Sequence, residues 1–293
     1  MDNILFRGAC TALVTPFDQS GVDYQAFDCL LDRQLQAGIQ AVVVCGTTGE
    51  ASAMSDVEKL ALMSHAVRYV RGRCRVLGGT GSNSTAHAAE LSAAAAQTGV
   101  DALLVVTPYY NKCTQQGLVA HYEQIKKSAG IPVIAYNVPS RTGVDIAPQT
   151  CKALYEAGIA GIKEANPDAS RVSQICGLCP EGFAVWCGND DRIVPFMAAG
   201  AQGVISVLSN PCPALLRQIT DACLLGDYAL AAKRQAEAMP LISALFAEVN
   251  PIPVKAAMEL LGQQAGPCRL PLTGASPQTV ARLKDALHGL NLC

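Results

Sequence analysis

Lys163 is the residue whose type and surroundings point most directly to chemistry. It lies in the short apolar run IAGIKEA, residues 159–165. Because strand side chains alternate between two faces, Gly161, Lys163 and Ala165 share one face, and Glu164 on the other is expected to be structural. An apolar environment favours the uncharged amine, which can attack a ketone and form a Schiff base. A lysine held in a structural salt bridge is the alternative.

Polar segments follow four of the apolar runs, and they contain further candidate side chains. The segments are GTTGE (46–50), TPYYN (107–111), YNVPSRTG (136–143) and KEA (163–165). The Tyr136 phenol is suited to general acid–base catalysis, or it is a core tyrosine bonded to a backbone carbonyl. Thr47 and Thr48 lie in a glycine-bounded turn that either holds a carboxylate or is purely structural. The Arg141 guanidinium suits a second carboxylate, although a solvated loop arginine is equally consistent.

The elements that must position these side chains are eight apolar runs that alternate with helical stretches. The runs are ACTALVTP, AVVVCG, RVLGGTG, ALLVVTP, PVIAYN, IAGIKEA, FAVWCG and GVISV. Five of them follow a small residue and a glycine, the pattern of a helix that ends in a left-handed residue. Ser55 with Glu58 predicts a capping box, and Ser84 predicts a second helix start. The pattern predicts a (β/α)8 TIM barrel, of the α/β class, over 1–225 and a C-terminal helical subdomain over 226–293.

Composition limits the class of protein and its partners. The chain has 293 residues, half of them apolar, and a formal net charge of −2. No Lys/Arg cluster suggests a nucleic-acid surface, and no run approaches the roughly 20 apolar residues of a membrane span. The first residues also lack a signal-peptide pattern, so we expect a cytoplasmic enzyme that acts on small molecules.

Cysteine and histidine patterns do not favour a metal or redox site. The 13 cysteines are scattered through apolar segments, and most are predicted to be small buried hydrophobic residues and not a disulfide scaffold. Cys176 and Cys179 form one CxxC motif without a second pair at zinc spacing, and the four histidines are dispersed. We therefore expect no metal.

The whole set of motifs resembles a known family. GTTGE, TPYYN, YNVPSRTG, IKEA and GVISV, together with NPIPVK at 250–255, resemble the pyruvate-dependent class I aldolase superfamily, and within it the family of 4-hydroxy-tetrahydrodipicolinate (dihydrodipicolinate) synthases. The likeness extends over essentially the whole chain. It implies a lyase that condenses pyruvate with L-aspartate 4-semialdehyde on the route to diaminopimelate and lysine, without a cofactor other than the substrate-derived Schiff base.

The resemblance also implies residue roles. Lys163 would form the Schiff base, and Tyr136, Thr47 and Tyr110 would form a proton relay. The substrate-binding set would be Thr48 for the pyruvate carboxylate, Arg141 for the semialdehyde carboxylate, Ile205 through its backbone, and Gly188 in the pocket wall. Tyr110 would enter the site of a neighbouring subunit, which makes a homodimer the minimum active unit and a dimer of dimers the usual state.

The region implied to bind an inhibitory lysine departs from the family pattern. Asn83 and Tyr109 match, but Asp56 and Lys59 stand where lysine-inhibited members have histidines. His87 stands where those members have an acidic residue. An anionic contact for the lysine ammonium is therefore missing, and we predict weak or absent inhibition by lysine.

Other functions compete with this interpretation. A lyase for N-acetylneuraminate or another keto-sugar acid would share Lys163 and Tyr136, but such relatives vary Thr48 and lack Arg141. A barrel that binds PLP or a phosphorylated ligand could use GTTGE and GGTG, although short glycine-rich turns are weak evidence. A non-catalytic binding barrel gives no reason for Lys163, Tyr136 and Arg141 to occur together.

Overall fold

Eight parallel strands close into a barrel in a computed structural model that describes residues 4–292. Each strand pairs with the next along the chain, and the eighth pairs with the first. They are β1 (Gly8–Ala12), β2 (Ala41–Val44), β3 (Arg75–Gly79), β4 (Ala102–Val106), β5 (Val133–Asn137), β6 (Gly161–Glu164), β7 (Ala184–Cys187) and β8 (Gly203–Ser206). β1 begins one residue before its predicted run and each of the other seven strands lies within its own, so the predicted barrel is confirmed.

Helices surround the barrel and continue beyond its last strand. Those up to residue 224 are α1 (Tyr24–Gln36), α2 (Asp56–Val70), α3 (Thr85–Ala96), α4 (Gln115–Ala129), α5 (Pro139–Thr142), α6 (Pro148–Glu156), α7 (Ser170–Leu178), α8 (Ile193–Ala198) and α9 (Pro213–Leu224). The last three are α10 (Tyr228–Leu245), α11 (Ile252–Leu260) and α12 (Pro277–Gly289). They form the predicted C-terminal helical region, in which α10 packs on α9 and α11 packs on α12.

The strand side chains divide between two cores. An inner core fills the barrel and includes Tyr136, Ala165, Trp186 and Ile205. A larger outer core between strands and helices includes Ile162. The predicted alternation along β6 is therefore confirmed, with Ala165 inside the barrel and Ile162 outside.

Three further findings concern the described part of the chain. No helix within residues 4–292 is both long and apolar enough to cross a membrane. The cysteines there are all free and most are buried. The CxxC pair has an exposed Cys176 and a half-buried Cys179, and burial raises the pKa of both thiols, that of Cys179 to about 11.

Candidate active site

Lys163 lies near the carboxyl end of β6, at the mouth of the barrel. Its side chain is buried, with 6% of the residue exposed, and its Nζ atom lies 4.3 Å from the centroid of the Tyr136 ring. Register explains this contact, because Tyr136 on β5 is the direct partner of Lys163 on β6. Within residues 4–292 no carboxylate forms an ion pair with Lys163. The amine is therefore not held in a structural salt bridge.

Small residues surround the base and the end of this lysine strand. A side chain at Gly161 would approach the Ala184 carbonyl oxygen to 2.2 Å, so only glycine fits there. Gly188, at the end of β7, lies against Ala165, where an added Cβ would be 2.7 Å from the Ala165 Cβ. At both positions the backbone packs too closely against its neighbours to accept a side chain.

Glu164 lies on the opposite face of β6, as predicted. Its carboxylate accepts hydrogen bonds from Asn137 Nδ2 at 2.8 Å and the Asn166 N–H at 2.8 Å, and pairs with Arg171 at 3.3 Å. Burial raises the pKa of Glu164 despite these partners. The group holds β5, β6 and α7 together outside the barrel and does not face Lys163.

The GTTGE segment forms a tight turn at the end of β2. Thr48 is buried and Thr47 is half-buried. The Gly49 carbonyl accepts a hydrogen bond of 2.8 Å from the Thr15 hydroxyl. Glu50 ends the turn in the left-handed conformation, with φ 54°, and its N–H donates to the Thr47 carbonyl at 3.1 Å. The turn is therefore fixed at both ends.

Asn250 joins two of the predicted substrate contacts, and reasoning from local sequence gave it no role. Its Nδ2 atom donates to Thr48 Oγ1 at 2.9 Å, and its carbonyl accepts from Arg141 Nη2 at 3.3 Å. Arg141 lies exposed on the short helix α5, whose first residue is Pro139. The partners of Asn250 lie more than 100 residues earlier, so no local pattern could indicate its role. Asn250 entered the sequence analysis only as the first residue of the NPIPVK motif.

Asp190 is a second residue that the sequence did not single out. Its carboxylate accepts the N–H groups of Val207 at 3.0 Å and Leu208 at 2.8 Å. Burial raises the pKa of Asp190. These bonds fix the chain directly after β8, which contains Ile205, a residue of the inner core. The predicted role of the Ile205 backbone in the site stays a prediction.

Tyr110, the last of the predicted relay residues, lies in an exposed loop, whereas Tyr136 contacts Lys163. It is 92% exposed and has a φ of 70° in the loop after β4. Tyr109 beside it is 40% exposed. An exposed Tyr110 agrees with its predicted insertion into a neighbouring subunit, which stays a prediction.

The residues that depart from the family pattern lie together near this loop. His87 Nε2 lies 2.6 Å from Asp56 Oδ2, and Lys59 Nζ lies 3.0 Å from Asp56 Oδ1. Burial alone would raise the pKa of Asp56, but hydrogen bonds from His87 and Lys59 lower it below its ordinary value. Asn83 is adjacent, with its carbonyl bonded to Asn111 Nδ2 at 2.9 Å. The Asp56 carboxylate is thus already occupied by two cationic or protonatable partners.

The described part of the chain contains no cluster of three or more His, Cys, Asp or Glu side chains that could hold a metal. The Lys163 amine lies beside the Tyr136 phenol, and Asn250 links Thr48 to Arg141. These groups suit Schiff-base chemistry on a substrate that carries carboxylates.

Comparisons with known proteins agree with this geometry. The chain is 48% identical over 286 residues to 4-hydroxy-tetrahydrodipicolinate synthase of Exiguobacterium sibiricum, which covers 97% of this chain and 98% of that protein. It is 46% identical to the enzyme of the same name from Acetivibrio thermocellus, over 98% of each chain. The crystal structure of dihydrodipicolinate synthase from Thermotoga maritima superposes with a TM-score of 0.96 at 39% identity, over 99% of this chain and all of that one. Residues 5–290 match the profile of the dihydrodipicolinate synthetase family, and the chain belongs to that family.

Proposed function

We propose that the chain condenses pyruvate with L-aspartate 4-semialdehyde to give 4-hydroxy-tetrahydrodipicolinate. Membership of the family makes it a lyase of the class I aldolase type, and relatives of that name align with nearly its whole length. The observation that carries the proposal is the buried Lys163 amine beside Tyr136, without a carboxylate partner in the described chain.

The chemistry follows from an amine next to a phenol. Lys163 attacks the ketone carbon of pyruvate, and loss of water gives an imine. Removal of a proton from the methyl carbon gives an enamine, whose carbon forms a bond to the aldehyde carbon of the semialdehyde. The substrate amine then displaces Lys163 and closes the ring. Tyr136, with Thr47 and Tyr110, would move protons in these steps.

The binding roles follow from charge and position. Thr48 would contact the pyruvate carboxylate through the turn that holds it, and Arg141 would pair with the semialdehyde carboxylate. Ile205 through its backbone and Gly188 would line the pocket. The Schiff base forms from Lys163 and the substrate alone, so we propose that the enzyme uses no bound cofactor.

A keto-sugar-acid lyase is the second candidate, because it would use the same lysine and tyrosine. Thr48 and Arg141 favour the synthase, since a sugar substrate brings no second carboxylate for the guanidinium. A coupled assay decides. The purified chain should consume pyruvate with the semialdehyde and leave N-acetylneuraminate uncleaved, whereas pyruvate release from N-acetylneuraminate would contradict the proposal.

We also propose a homo-oligomer, with a dimer of dimers as its full form, in which Tyr110 completes the site of its partner. Its 92% exposure supports this, because a phenol needed for proton transfer has no role in open solvent. A cytoplasmic location, with residues 1–225 as the catalytic barrel and 226–293 as a helical subdomain, completes the proposal.

Lysine is expected to inhibit this enzyme weakly or not at all. His87 stands where an acidic contact for the lysine ammonium would be needed, and the nearby Asp56 is already bonded to Lys59 and His87. Steady-state rates at subsaturating pyruvate, measured with increasing L-lysine, should stay unchanged through the submillimolar range. Half-inhibition in that range would contradict the expectation.

A further inference from the structure

Glu50 and Lys255 form an ion pair that the mechanism above does not use. Both side chains are almost completely buried, 1% and 4% exposed, and Lys255 Nζ lies 2.6 Å from Glu50 Oε1. Lys255 also donates to the Pro267 carbonyl at 2.9 Å and lies 4.6 Å from the centroid of the Phe17 ring. Glu50 Oε2 accepts the Arg269 N–H at 2.8 Å. The pair is therefore held in one geometry.

Stability alone is a weak reason for such a pair. Taking two charges out of water is costly, and a well-packed apolar pair of similar volume is often as stable. Burial lowers the pKa of Lys255, and the hydrogen bond that Lys255 donates to Glu50 opposes that shift only in part. An ion pair holds its two charged groups at a fixed distance and orientation, which an apolar pair does not.

The fixed geometry of the ion pair matters because of where Glu50 lies. It is the last residue of the turn that carries Thr47 and Thr48, and its N–H is bonded to the Thr47 carbonyl. Lys255 lies one turn into α11, five residues after Asn250, whose side chain is bonded to Thr48. One segment of the C-terminal helical region thus contacts the turn at two residues, Thr48 and Glu50.

We propose that the Glu50–Lys255 pair is a positioning device that sets the turn for the pyruvate carboxylate. Neither residue touches substrate. Each acts through the backbone that aims Thr47 and Thr48. The inference rests on the proposed function, since it assumes that this turn binds pyruvate. It predicts that loss of the pair weakens pyruvate binding without removing the reactive amine.

The test measures the initial rate at which borohydride fixes pyruvate to Lys163, as a function of pyruvate concentration. Lys255→Met and Glu50→Gln should each raise the half-saturating pyruvate concentration about tenfold or more and leave the maximal rate near that of the wild type. Lys255→Arg, which keeps the charge, should recover part of the loss. KM for the semialdehyde should change much less.

Glu58→Gln is the matched control. Glu58 pairs with the Arg269 side chain and so ties α2 to the same C-terminal loop, whose Arg269 N–H also bonds Glu50, but no hydrogen bond or ion pair among the described residues joins Glu58 to Thr47 or Thr48. This variant should lose thermal stability while it keeps the wild-type half-saturation for pyruvate. A rise as large as that of Lys255→Met would overturn the inference.

The outcomes separate this inference from the function itself. If wild type fails to trap pyruvate, the proposed function fails. If wild type traps it and the folded Lys255→Met variant has an unchanged half-saturation, only the positioning role is wrong. If a single variant does not fold, the double variant Glu50→Gln/Lys255→Met, which leaves no unpaired charge, decides by the same measurement.

Discussion

At the scale of single residues, the side chains that carry the proposed chemistry were those with a local signal. Lys163, Tyr136, Thr48 and Arg141 each lie at or just after a predicted strand end, where a barrel gathers its active-site groups. Asn250 has no such signal, because its bond to Thr48 spans 202 residues. Asn250 can therefore be identified as a site residue only from a family motif or from the fold.

Arg141→Ala should raise KM for aspartate semialdehyde by about 10- to 100-fold, because a charge-assisted hydrogen bond contributes roughly 1.5–3 kcal/mol. Pyruvate trapping on Lys163 should keep its wild-type half-saturation. Initial-rate kinetics with each substrate varied in turn would measure both. Arg68→Ala, which removes an exposed arginine of α2, serves as the control. Equal losses for the two substrates would contradict the assigned role.

At the scale of elements, turn chemistry predicted the helix ends well. The five glycines that close the predicted small-residue tags, Gly38, Gly99, Gly130, Gly158 and Gly200, all have positive φ. Ser55 and Glu58 form the predicted capping box. The pattern did not predict the short helix α5 or the hairpin of Phe17–Asp18 with Gly21–Val22, since two to four residues are too few to produce a period.

A buried histidine should make the packing of α3 on α4 sensitive to acid. His121 on α4 lies 2.9 Å from the Thr85 hydroxyl on α3, and burial lowers its pKa to about 4. The unfolded chain binds this proton near pH 6.5 and the folded chain does so only near pH 4. Stability is therefore lost as pH falls through that window.

Wild type should lose about 2–3 kcal/mol more unfolding free energy than His121→Leu between pH 7 and pH 4. Urea unfolding at a series of pH values measures this difference. The other titratable groups are common to both proteins, so their contributions cancel. Parallel curves for the two proteins would show that His121 is not the cause.

At the scale of the whole molecule, every proposed site residue except Tyr110 is proposed to serve the site of its own chain. Periodicity predicted eight strands and the helical tail, because each element carries its own pattern. Periodicity could not predict how the tail meets the barrel. Asn250 and Lys255 make that contact through single side chains, which leave no repeat in the sequence.

Hybrid oligomers test the exchange of Tyr110. Tyr110→Phe and Lys163→Ala should each be nearly inactive. When they are co-expressed with different affinity tags, the hybrid dimer should regain about half of the wild-type activity, because one of its two sites is complete. A hybrid as inactive as its parents would contradict the shared site, as would a fully active Tyr110→Phe.

The most direct measurement is reduction with borohydride in the presence of pyruvate, followed by mass analysis of the peptides. The account predicts one reduced pyruvate adduct per chain, on the peptide that contains Lys163. Lys163→Ala should remain unlabelled, and the exposed-lysine control Lys152→Ala should label like the wild type. An adduct on a different lysine, or none at saturating pyruvate, would contradict the account.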